Sequence, residues 1–261
     1  MKLSRISTCT YPVREEPLVE TFDLIAKSGY EKVDLWGGPP NYSNDPDECD
    51  IGTVKAKAES FGLRVANLGT YAGRRFHEVG YDAEMKEMRQ AIDNASVLGS
   101  RSIRVCPGHG TDPAIIDDLI PFFLESAGYA SERSIYLGME NHDGSLAAVP
   151  DVIMRLVRAV DSSHFGILFE PANLMACNVD YKNAYDTFKG HITHVHIKDS
   201  RWFDGKYQRT MLGEGDVDVS WVVHALESDG YTGDYALEFE IEKRVPVETG
   251  LPVWLDYMIA V

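Results

Sequence analysis

Cysteine is scarce in this chain. Its 261 residues hold four, Cys9, Cys49, Cys106 and Cys177, and no two of them form a C-x-x-C pair. That scatter fits a reduced, cytoplasmic protein better than a disulfide framework or a structural zinc site. Long apolar runs are missing as well. Nothing approaches the roughly 18 residues that a membrane crossing needs, and no charged-then-apolar leader stands at the start, so neither membrane insertion nor secretion is expected. Basic charge is in deficit: Lys plus Arg number 25 against 41 Asp plus Glu, a formal net charge of −16. Without a basic cluster to offset it, such a surface repels phosphate backbones, and nucleic acid is not an expected partner. Neither G-x-G-x-x-G nor a P-loop occurs, which argues against dinucleotide or ATP binding.

What the chain does have is alternation. Leu3–Tyr11 reads as a strand and Glu16–Lys27 as a helix stopped by Gly29. Lys32–Trp36, Arg64–Leu68, Ser102–Cys106, Ile135–Asn141 and Phe165–Phe169 read as further strands. Helical spacing covers Ile51–Phe61, Ala83–Leu98, Pro113–Ser126, Pro150–Val160 and Tyr181–Phe188 between them. A His-rich strand, a hairpin near Trp202–Met211, a helix over Val219–Leu226, a strand over Asp234–Ile241 and a helix over Leu251–Ile259 complete the chain. Eight strand-then-helix units in this length predict a parallel sheet covered by helices, closed as a (β/α)₈ TIM barrel. An open doubly wound sheet is the alternative, but Tyr11-Pro12-Val13-Arg14 stands where its Gly-rich turn belongs. The only linker-like stretch, Asn41–Asp50, follows too little chain to close a domain, so residues 1–261 are read as one.

The His-rich strand, Gly190 to Arg201, organises the rest. Side chains alternate along a strand, so His194, His196 and Lys198 share one face, opposite Val195 and Ile197. Two imidazoles and an ammonium make a poor core but a plausible site. In such barrels the functional groups gather at the carboxyl ends of the strands. There the fifth, sixth, seventh and eighth strands place Glu140, Glu170, His196 and Glu238. Three carboxylates meeting at one mouth repel unless positive charge lies between them. Lys198 supplies one charge and a divalent ion two. Oxygen donors with one imidazole suit a single divalent metal: Mn²⁺ first, with Mg²⁺, Co²⁺, Fe²⁺ or Zn²⁺ as alternatives.

Five segments in order carry a resemblance that spans the chain: Glu140-Asn141-His142, Phe169-Glu170-Pro171-Ala172-Asn173, His194-Val195-His196-Ile197-Lys198-Asp199, Leu212 to Asp218, and Gly233 to Glu238. They resemble the xylose isomerase-like TIM-barrel family, in its branch of ketose 3-epimerases, hydroxypyruvate isomerase and inosose dehydratase. The resemblance implies one divalent metal on Glu140, Glu170, His196 and Glu238, with Glu140 and Glu238 also acting as an acid/base pair. Two positions depart from the pattern: Glu170 stands where Asp is usual, and Trp202 where the epimerases carry Arg.

The expected chemistry is isomerisation or epimerisation of a ketose or keto-cyclitol through an enediolate, with one carboxylate removing a proton and the other returning it. Lys198 and His142 are expected on substrate oxygens, with Trp36 as an apolar wall or a core residue and Asn173 as a substrate contact or a cap. Arg209 and His109 are weaker substrate contacts, each also readable as a plain loop residue. A metal-dependent lyase is the alternative, because the same enediolate can expel a leaving group. A non-catalytic sugar-binding barrel is the third reading. No phosphate cradle follows the last two strands, which favours a substrate without phosphate. The apolar residues of the last helix, Leu251, Val253, Trp254 and Tyr257, are open to both core and homo-oligomer readings.

Overall fold

Eight parallel strands close on themselves, each beside the next in sequence and the last beside the first. The computed structural model describes residues 1–261. The staves are β1 (Ile6–Cys9), β2 (Lys32–Trp36), β3 (Arg64–Gly69), β4 (Ser102–Val105), β5 (Tyr136–Glu140), β6 (Phe165–Phe169), β7 (Ile192–Ile197) and β10 (Tyr235–Leu237). Between the last two staves lies an antiparallel hairpin, β8 (Asp199–Phe203) with β9 (Lys206–Thr210). The expected (β/α)₈ barrel in one domain is therefore present. No helix is long and apolar enough to cross a membrane.

Why these residues make staves is visible in their burial. Phe165-Gly166-Ile167-Leu168-Phe169 is buried throughout, as a strand must be when barrel interior and helices cover its two faces. The covering helices bury their apolar stripes against it. Pro150–Val160, for example, turns Ile153, Met154, Leu156 and Val157 inward and leaves Arg155 and Arg158 outside. In the last helix, Val247–Ala260, Leu251 and Trp254 are core residues, whereas Val253 is exposed.

Several boundaries differ from the expectation. The first strand is only Ile6–Cys9, flanked by 3₁₀ turns at Leu3–Arg5 and Tyr11–Val13. Pro12 has no N–H for a ladder and fixes its φ, which ends the strand there. The strand expected over Asp234–Ile241 stops at Leu237, and the backbone then turns, with Glu240 N donating to Glu238 O. The hairpin begins at Asp199 rather than Trp202, so Ser200 and Arg201 pair with Arg209 and Gln208. A short helix at Pro171–Ala176, not anticipated, starts directly after β6. Its Pro sits at the first helical position and the Glu170 side chain accepts from Ala172 N and Asn173 N, a standard start for a helix.

Candidate active site at the carboxyl end of the barrel

The interior is crossed by a polar chain. Asp34 on β2 reaches across the barrel to β7, where its Oδ2 accepts from His194 Nε2 at 2.8 Å and from His196 Nε2 at 3.0 Å. Its Oδ1 accepts from Asn67 Nδ2 at 3.0 Å, and Ser102 Oγ donates to Asn67 Oδ1 at 2.8 Å. All five side chains are buried, so each of these bonds satisfies a group that would otherwise be costly to hide. Burial alone would push the Asp34 carboxyl up. The two histidines outweigh it and hold the group well below the usual carboxylate range.

With Nε2 committed to Asp34, His196 turns Nδ1 toward the mouth. It lies 3.3 Å from Glu140 Oε1 and 3.6 Å from Glu238 Oε1. The ligand atoms of Glu140, His196 and Glu238 all lie within 4.8 Å of one another. The other Glu140 oxygen is held by Arg104 of β4, with Nη1 to Oε2 at 3.0 Å. Burial would raise the Glu140 carboxyl, but His196 and Arg104 hold it well below its ordinary value. Burial would likewise lower His196, yet contact with Cys9 and Asp34 keeps it above its ordinary value.

Glu170 does something different. It lies one stave from Glu140, but its Oε1 accepts from Ala172 N at 3.1 Å and its Oε2 from Asn173 N at 2.5 Å. Lys198 Nζ is 3.7 Å away. Burial pushes this carboxyl up to about 7 despite Lys198 and the two amides. The buried ammonium itself contacts Glu238 Oε2 at 2.5 Å and Glu240 Oε2 at 2.9 Å. These carboxylates keep Lys198 well above its ordinary value although burial works against it.

Of the residues singled out in the sequence, then, Glu140, His196 and Glu238 come together, with Lys198 beside Glu238. Glu170 stands next to them with its oxygens turned to the helix start. Asn173 Nδ2 is 3.4 Å from Glu140 Oε1, so it both continues the helix and faces the cluster. Trp36 is half-buried at the mouth. Its indole N–H donates to Tyr71 Oη at 3.0 Å, and its ring meets Tyr11 edge-on at 5.8 Å. It lines a cavity of about 120 Å³ together with Cys9, Asp34, Glu140, His196 and Glu238. It is thus a wall residue rather than a core one. His142 borders the same cavity. The β5 strand ends at Glu140, however, so His142 is exposed on a turn instead of sharing the strand face, and its Nδ1 meets Asp143 O at 3.1 Å. Arg209 does not reach the cluster directly; it pairs with Glu240 at 2.9 Å. His109 is an exposed loop residue lining a neighbouring cavity.

Sequence reasoning missed Asp34, Arg104, Tyr71 and Glu240. The first two carried a signal: a charged residue in the middle of an otherwise apolar strand, Val33-Asp34-Leu35 and Ile103-Arg104-Val105, is affordable only when paired. The segment Leu212 to Asp218 takes a structural role. The Asp199 carboxylate accepts from the backbone of Ser200, Gly213, Gly215 and Val217 at 2.7–3.1 Å. A Cβ on Gly215 would lie 2.2 Å from Asp199 Oδ1, so only glycine fits there.

Comparison with known proteins agrees with this architecture. An L-ribulose-5-phosphate 3-epimerase of Salmonella paratyphi A is 28% identical over 200 residues, covering 73% of this chain and 69% of that enzyme. An uncharacterized protein of Methanocaldococcus jannaschii is 26% identical over 162 residues, and the match spans only 55% of its length. Among solved structures, the IolI protein with a bound zinc atom superposes with a TM-score of 0.79 at 14% identity, covering 98% of this chain and 97% of that one. A probable 3-DHS dehydratase, AsbF of Bacillus anthracis, gives 0.79 at 14% identity over 98% of both chains. A xylose isomerase-like barrel from Mycobacterium smegmatis in complex with magnesium gives 0.78 at 17%, covering 95% and 90%. The family model described as xylose isomerase-like TIM barrel matches residues 22–258, and the chain belongs to that family.

Proposed function

We propose that this barrel is a divalent-metal-dependent sugar isomerase or epimerase that works through an enediolate on a non-phosphorylated ketose or keto-cyclitol. The observation that carries the reading is the convergence of Glu140, His196 and Glu238 within 4.8 Å at the mouth, below an aromatic wall of Trp36 and Tyr11. The donor set fits a metal: two carboxylates and one imidazole without thiolate suit Mn²⁺, Mg²⁺, Co²⁺, Fe²⁺ or Zn²⁺. The imidazole is oriented by a buried carboxylate, Asp34, as ligand histidines usually are. When bound, the ion supplies a Lewis acid that polarises a substrate carbonyl and its neighbouring hydroxyl. Glu170, the fourth donor named by the resemblance, has its oxygens engaged by Ala172 N and Asn173 N. It joins the set only by giving up those bonds.

The chain's own groups divide the rest of the work. Glu140 and Glu238 stand on either side of His196 and serve as the acid/base pair that removes and returns the proton beside the carbonyl. Arg104 fixes the Glu140 carboxylate from behind. Lys198 neutralises charge between Glu238 and Glu240 and offers its remaining proton to a substrate oxygen. Asn173 and His142 border the substrate on the β5 and β6 side. Four unbridged cysteines favour a cytoplasmic location.

One observation favours the lyase alternative. Trp202, at the position where the resembling epimerases hold Arg, donates its indole N–H outward to Met175 O at 3.1 Å, which leaves that substrate contact unfilled. Elemental analysis of the purified protein, repeated on Glu140→Gln and Glu238→Gln, tests the metal site. Incorporation of deuterium from D₂O against release of a leaving group, over a panel of ketoses and keto-cyclitols, separates isomerase from lyase. Unchanged metal content in both variants overturns the reading.

A further inference from the structure

Beside the cluster, toward β4 and β5, lies a second and larger hollow of about 380 Å³, which shares Tyr71, Arg104, Glu140 and His142 with the first. Its outer wall includes Arg74 and His109. Two guanidinium groups facing one hollow stand out in a chain of net charge −16. They flank a single ring: the guanidinium carbon of Arg104 lies 4.5 Å from the Tyr71 centroid and that of Arg74 5.6 Å. Arg104 uses Nη1 on Glu140 and Nε on Thr70 O, but its Nη2 is buried without a partner. The Arg74 side chain has only the face of Tyr71.

The loop that presents Arg74 is pinned rather than free. Thr70 Oγ1 donates to Arg104 O at 2.6 Å, Cys106 N to Ala72 O at 2.8 Å, and Gly73 N to the buried Glu84 carboxylate at 2.6 Å. Gly73 has φ +92°, and a Cβ there would lie 2.2 Å from Cys106 O, so only glycine allows this approach. Burying Glu84 and dedicating a glycine to hold one exposed arginine beside another is intelligible if the pair receives an anion, because preorganised donors bind at lower entropic cost.

We propose that this hollow takes the carboxylate of a keto-sugar acid whose carbonyl end lies over Glu140, His196 and Glu238. The inference rests on the sugar-isomerase reading above and names its substrate class. Carboxylate is favoured over phosphate by charge. Asp143 and Glu140 also line the hollow and balance its two guanidiniums, so a single added negative charge meets less repulsion there than two. The planar fork of a free guanidinium matches a carboxylate bidentately.

The test is titration calorimetry of the metal-loaded protein with three ketoses that differ only at C6: D-fructose, D-fructuronate and D-fructose 6-phosphate. Fructuronate should bind at least tenfold more tightly than fructose. Arg74→Ala should collapse that ratio toward one with unaltered metal content, and Arg74→Lys should restore part of it. Equal binding of fructose and fructuronate, a ratio unchanged by Arg74→Ala, or no binding of any of the three overturns the proposal. A preference for the phosphate that Arg74→Ala removes overturns the choice of carboxylate. Because the readout is binding, a protein that takes fructuronate yet exchanges no proton with solvent refutes the isomerase reading and leaves the oxyanion site standing.

Discussion

Glu140 and Glu170 end adjacent staves of the same barrel, yet they meet different fates. After Glu140 the chain makes an open turn through Asn141, His142 and Asp143, and the carboxylate is left to Arg104 and His196. After Glu170 the chain enters a helix at Pro171, and the carboxylate is claimed at once by two backbone N–H groups. A helix start is a ready acceptor site for negative charge, and it competes with anything else that side chain could bind. Position at the strand end is therefore not enough to make a carboxylate available; the conformation of the next three residues decides it.

The largest expected effect concerns the ammonium that links Glu170 to Glu238. Lys198→Met leaves Glu238, Glu240 and Glu170 without their shared cation. Breaking a buried pair in this way costs about 3–5 kcal/mol. Urea unfolding of the metal-free variant should show that loss, and added divalent metal should recover part of it. An unfolding midpoint equal to that of the parent would show that the carboxylates do not depend on Lys198.

Metal content bears on the comparison directly. Glu140→Gln and Glu238→Gln should each weaken binding at least about 100-fold, whereas Glu170→Gln should change it by less than about tenfold; loss of a ligand removes a charged donor and loss of a supporting group only weakens one. Equal loss in all three, read by elemental analysis after dialysis against a weak chelator, would make Glu170 a ligand like the others. Asp34→Asn comes next, at about 10–100-fold, because it disturbs only the orientation and basicity of His196. Imidazole NMR shifts of His194 and His196 should move with it.

The smallest effect is one of pH. The Glu170 carboxyl is raised from 4.5 to about 7 in the fold, so the folded metal-free protein binds more protons than the unfolded chain across that window. Stability contributed by the protonated form is complete below about pH 4.5 and is lost as pH rises toward 7. Glu170→Gln, which keeps a neutral group there, should flatten the fall in urea midpoint between pH 5 and 7.5. The depressed Asp34 acts oppositely and lower on the scale, losing its contribution as pH falls well below 4.

Much of this was legible from residue order alone. Strand-helix alternation gave the barrel, because periodicity 2 and periodicity 3.6 are set by which face meets the core. His196, Glu140 and Glu238 were found because polar residues at strand ends violate that pattern. Asp34 and Arg104 violated it just as plainly, but each sits in a short strand whose partner lies 162 and 36 residues away, and no local rule names that partner. The fate of Glu170 was written in Pro171, a first-turn proline, yet reading it required weighing a helix start against a metal. The direction of His142 was lost for the same reason that strand ends are hard to place: one residue less of β5 turns it out to solvent.

The grip of Asp199 on the amides of Ser200, Gly213, Gly215 and Val217 draws the start and the end of the excursion after β7 together. Whatever lies between the two attachment points can lengthen, shorten or change its tip while the mouth beneath keeps its shape. A barrel built this way can trade one hairpin for another without rebuilding the strand ends that hold Glu140, His196 and Glu238.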